Sequence, residues 1–147
     1  MEMRSRTTAS PEIREFAQRL VAYEAAGGSP AGADFPAGVR VAEKLRHPLS
    51  RLAGVNGFHM LLVRALTLAK AQVPGLSPVQ VKADGSLEGF SDLGNRAEAA
   101  GAGVTLIAEM LGLLAAFVGE AFTRSLVLDV WPDFPAFDTE PWRKNES

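Results

Sequence analysis

Two carboxylates, Glu109 and Glu120, interrupt the most apolar stretch of the chain and are the first candidates for acid and base chemistry. Eleven residues separate them, almost three helical turns, so one continuous helix would carry both on one face about 16 Å apart. Paired acid and base carboxylates of glycosidases stand closer than this, at most about 9.5 Å apart, so the two could not share a reacting centre. Each is instead expected on a solvated stripe or beside a basic residue such as Arg64 or Arg124, because buried carboxylates are uncommon unless paired. The two histidines, His47 and His59, are twelve residues apart and form no metal-ligand pattern such as HExxH. With no cysteine in the chain, thiolate nucleophiles, iron–sulfur clusters, disulfides and cysteine-based zinc sites are excluded. No cofactor is expected. What chemistry remains is a polar handle for a small molecule, for which His59, Arg64, Glu109 and Glu120 are the candidates, set against an apolar pocket in the helical core.

No GxSxG elbow, GxxxxGK[ST] loop or GxGxxG fingerprint occurs, so the usual signatures of hydrolases and nucleotide-dependent enzymes are missing. Leu45-Arg46-His47-Pro48-Leu49 resembles the phosphoacceptor box of sensor histidine kinases. In that family the phosphorylated histidine precedes the Leu-Arg-x-Pro-Leu core by two positions. Here that place holds Glu43, and no nucleotide-binding glycine boxes follow. The resemblance covers a handful of residues and implies no phosphotransfer in this chain.

Recognition of another protein is the better-supported chemistry. The segment from Trp131 to Trp142 carries four aromatics, Trp131, Phe134, Phe137 and Trp142, among three prolines. Proline keeps such a segment extended, and aromatic side chains provide the large, low-entropy contacts that dominate interfaces. Trp131 and Phe134, close to the last helix, are expected to fold back on the chain's own core, leaving Phe137 and Trp142 for a partner. Within the last helix, Phe117 and Phe122 belong to an apolar surface larger than one small domain needs.

The elements that must position these residues are mostly helices. Ser10, Pro11 and Glu12 form an N-terminal start signal, and Ile13, Phe16, Ala17, Leu20 and Val21 recur at helical spacing up to about Ala26. The breaker cluster 27–36 follows, with Phe35 expected to plug the core. A second helix is expected from about Pro36 to Arg46, broken or kinked by Pro48. A third covers Leu49 to Ala69, interrupted near Gly54 to Gly57 and stopped before Pro74. Val79 to Glu88 reads as a β-hairpin. A three-residue loop, Ala83-Asp84-Gly85, pairs Val81 with Leu87 and Gln80 with Glu88, which keeps apolar against apolar and gives Gly85 the left-handed position. The last helix is expected to run unbroken from about Val104 to Val130. It is apolar over most of its circumference, with one stripe of polar and small residues, Thr105, Glu109, Gly112, Ala116, Glu120 and Thr123. Such a helix is central or shares its surplus face with a second copy, and Gly112, Ala115, Ala116 and Gly119 would allow another backbone close.

The whole is expected to be a mainly α, compact bundle of about four to five helices with one small β-hairpin over residues 79–88. Residues 1–9 form a tail, 10–130 one domain and 131–147 a Pro/aromatic tail. A length of 147 residues suits one core. The net charge of −2 offers no electrostatic footprint for nucleic acid. The window Val104–Phe122 is interrupted by Glu109 and Glu120, which argues for a core helix rather than a membrane span. A cytoplasmic, non-enzymatic interaction module is therefore expected, its partner itself as a homodimer or another protein, with small-molecule binding as the alternative.

Overall fold

The computed structural model describes residues 11–27, 37–83, 85–89, 96–132 and 134. Four helices make up most of it: α1 (Pro11–Gly27), α2 (Ala37–Gln72), α3 (Arg96–Val118) and α4 (Glu120–Val130). A 3-10 turn, Pro74–Leu76, and a hairpin of β1 (Gln80–Val81) and β2 (Leu87–Glu88) connect α2 to α3. The chain is thus a helical bundle carrying one antiparallel hairpin. Its register is Gln80 with Glu88 and Val81 with Leu87, the pairing expected from keeping Val81 against Leu87. Ser10 and Phe35, for which a cap and a core plug were expected, lie outside the described residues.

α3 is the central element. Every residue from Thr105 to Gly112 is buried, and the helix packs against α1, α2 and α4. α1 covers it with Ile13, Phe16, Ala17, Leu20 and Val21, the stripe its 3.6-residue period demands. α2 contributes Val41, Ala42, Leu45, Leu49, Leu62, Leu66 and Ala69. Where α2 and α3 cross, Gly38 and Gly103 meet backbone to backbone, and a Cβ on Gly38 would lie 2.7 Å from the Gly103 Cα. The close approach anticipated around Gly112 to Gly119 is therefore made by a different pair, at the other end of α3.

One helix break falls where it was expected and another does not: the chain departs from helical geometry at Gly54 (φ 84°, ψ 162°), within the interruption expected near Gly54 to Gly57, whereas Pro48 lies inside α2 rather than ending a helix. Leu45 and Leu49 are both buried on either side of the proline, so packing holds one line through it at the expense of a backbone hydrogen bond. The single long last helix is likewise two helices. It begins at Arg96 and stops at Val118, and Gly119 (φ 97°, ψ 153°) turns the chain into α4. Both glycines occupy a backbone region essentially closed to other residues. Periodicity could not reveal the second break, because the apolar pattern continues across it.

Candidate functional site

The break at Gly119 separates the two carboxylates that a continuous helix would have aligned. Glu109 is completely buried in α3, whereas Glu120 is exposed in the first turn of α4. The solvated stripe expected for Glu109 is thus corrected, since Thr105 and Thr123 of the same stripe are buried as well. The two threonines satisfy their hydroxyls locally: Thr105 Oγ1 donates to the Gly101 carbonyl at 3.1 Å and Thr123 Oγ1 to the Gly119 carbonyl at 2.8 Å. Glu109 Oε2 accepts a hydrogen bond from Gln72 Nε2 at 2.5 Å. Gln72 Oε1 in turn accepts from Arg14 Nη2 at 2.6 Å. This chain of polar groups ties α1, α2 and α3 together at the end of α2.

A second polar cluster escaped the sequence reading. Glu24, only 4% exposed, accepts hydrogen bonds from Arg40 Nε (3.2 Å), Lys44 Nζ (2.9 Å) and Trp131 Nε1 (2.9 Å). Burial by itself pushes this carboxyl up, but the donations from Trp131, Lys44 and Arg40 and the charge of Lys44 outweigh it and hold the group below its ordinary value. A signal for it did exist. Glu24 occupies the next inward position after Phe16, Ala17, Leu20 and Val21 on the apolar stripe of α1, where a carboxylate requires buried partners.

Trp131 and Phe134 are buried, as expected for residues folding back. Phe134 meets Phe16 and Tyr23 edge to face, both with centroids 5.4 Å apart. Neither is therefore available to a partner. Phe137 and Trp142 lie outside the described residues.

The remaining candidates converge on one surface. His59, Arg64 and Phe117 line an open apolar groove of about 890 Å³ together with Leu49, Leu52, Phe58, Met60, Val63, Leu113 and Leu114. Its walls are the stretch of α2 from Leu49 to Thr67, on both sides of Gly54, and the last turns of α3. Several of its apolar side chains are exposed to an unusual degree: Phe117 is 81% exposed and Met60 70%. Leu52 and Val63 are partly open too, and nearby in the chain Val55 and Phe122 are also exposed. Glu109 and Glu120 are not part of the lining, so the polar set of four does not assemble at one place. Among the described residues the lining contains no carboxylate. Nor do the described residues hold a group of three or more His, Asp or Glu suited to a metal ion.

Among the described residues, two helices are long and apolar enough, by length and composition, to cross a membrane: α2 and the 101–118 part of α3. The second is mostly buried within the fold, whereas in α2 the most apolar window is 28% buried. Compared with protein-family models, curated proteins and solved structures, the chain has no match in any of the three.

Proposed function

We propose that this chain is a non-enzymatic interaction module that self-associates through the groove between α2 and α3. The observation that carries this reading is Phe117, an aromatic left 81% exposed at the mouth of a groove that Leu52, Met60 and Val63 keep apolar. Monomeric proteins rarely leave contiguous apolar patches of this kind uncovered, and interface centres are enriched in aromatic residues and methionine. The polar clusters of the interior support the same reading, because Glu24 and Glu109 are engaged in holding helices together. The absence of cysteine agrees with a cytoplasmic site of action.

Light scattering of the full chain over a wide concentration range tests the proposal. A dimer is expected, and Phe117→Asp is expected to yield a monomer with an unchanged helical circular dichroism spectrum. A wild-type chain that stays monomeric throughout overturns the reading. So does one that is monomeric in solution and floats with lipid vesicles. The alternative function, binding of a small apolar ligand, is supported by the groove's volume, which falls within the roughly 300–1,000 Å³ of ligand sites. An apolar fluorescent dye that binds a monomeric wild-type chain, and is lost in Phe117→Asp, would favour it.

A further inference from the structure

The groove is chemically one-sided. Along the second half of α2, Met60, Val63, Arg64 and Thr67 are all exposed, and their i, i+3, i+4, i+7 spacing gives them one helix face. Among the described residues, Arg64 and His59 bring the only ionisable groups to the lining. A segment that fits this wall must therefore be apolar, convex and acidic. The chain itself carries one. At the corner between α3 and α4, Phe117 and Phe122 are exposed at either end of a short stretch with the exposed carboxylate of Glu120 between them. Gly119 makes the corner convex by turning the chain at φ 97°.

We infer that the occupant of the groove is the α3–α4 corner of a second copy, with Glu120 of each copy facing Arg64 of the other across a two-fold axis. The inference rests on the self-association reading above and names its contact. A two-fold arrangement makes each contact twice, so one corner and one groove wall per chain suffice for a closed dimer. Leu52, Met60, Val63, Phe117 and Phe122 expose on the order of 500 Å² of apolar side chain, and the polar rim around them brings this toward the ~800 Å² each partner gives a standard interface. Charge supplies the register: Arg64 against Glu120 is attractive, whereas sliding the copies until the two Arg64 side chains meet is repulsive.

Charge reversal tests it. Arg64→Glu and Glu120→Arg are each expected to weaken the dimer about tenfold, and the double variant to recover most of the wild-type affinity. All these positions are exposed, so the fold should be unaffected, and thermal melts check this. A second measurement uses the chain's freedom from cysteine: mixing an Arg64→Cys chain with a tagged Glu120→Cys chain under mild oxidation should give a disulfide between copies. Single reversals without effect, a double variant no better than the singles, or no mixed cross-link would overturn the inference. If the wild type still dimerises and Phe117→Asp still dissociates it, self-association stands and only the proposed contact falls. A monomeric wild type overturns both.

Discussion

Glu24 shows how one side chain joins distant parts of the chain. It lies 107 residues from Trp131 and accepts that indole's hydrogen bond while pairing with Arg40 and Lys44 from α2. Arg40 and Lys44 remain partly exposed, so screening by solvent reduces what each pair contributes. Glu24→Gln is expected to destabilise the chain by about 1–3 kcal/mol, the range for a hydrogen-bonded charge discounted for that exposure. Urea unfolding followed by circular dichroism measures it as a lower midpoint at unchanged slope. A carboxyl held below its ordinary value in the folded state stabilises above the unfolded pKa, and that contribution disappears as pH falls through the folded pKa. Stability of the wild type should therefore drop on the acid side of the carboxylate range. Glu24→Gln should flatten this drop, and an acid titration of both proteins monitored by circular dichroism would reveal a failure as two parallel curves.

At the scale of elements, two kinds of glycine do different work. Gly119 has open space around it, with no heavy atom of the described residues beyond its own chain neighbours within 4 Å of where a Cβ would stand. Its φ of 97° alone resists substitution, so Gly119→Ala should cost about 1–3 kcal/mol through backbone strain. Gly38 poses the opposite problem, since its backbone conformation is ordinary and a Cβ there would meet the backbone of Gly103 at 2.7 Å. Gly38→Ala should cost about 1–3 kcal/mol as well, by pushing α2 away from α3. Melting temperatures of the two variants establish the losses. Amide hydrogen exchange separates their causes: faster exchange confined to the α3–α4 junction for Gly119→Ala, and spread over the α2–α3 crossing for Gly38→Ala.

On the scale of the whole molecule, the C-terminal end of the described chain closes the core. Trp131 and Phe134 belong to it through Glu24, Phe16 and Tyr23. A chain ending at Val130 would lose both rings and should be destabilised by at least ~3 kcal/mol, the lower bound for deleting one large aromatic from a core. A chain ending after Phe134 keeps both rings and should melt at a higher temperature than the one ending at Val130. Equal melting temperatures for the two truncations would mean that the rings do not stabilise the bundle. If the groove and corner form the proposed contact, the chain ending at Phe134, which keeps the exposed Phe117, should dimerise like the full chain.

Much of this architecture was legible from local chemistry. The α1 stripe, the hairpin register, the central character of the 104–118 segment and the inward turn of Trp131 follow from periodicity, turn chemistry and apolar content, all of which act over a few residues. Three features were decided only by tertiary packing. Pro48 stays inside a helix because Leu45 and Leu49 are held against a common core, and no local rule weighs that burial against the lost hydrogen bond. Gly119 breaks a helix whose apolar pattern runs on without a change, because the chain must turn there for Thr123, Leu126 and Val127 to be buried. Glu109 faces inward, with Thr105 of the same stripe, because Gln72, far off in sequence, arrives to satisfy it. Sequence spacing records which side chains share a face; only the assembled bundle determines whether that face meets water, a hydrogen-bond partner or an open groove.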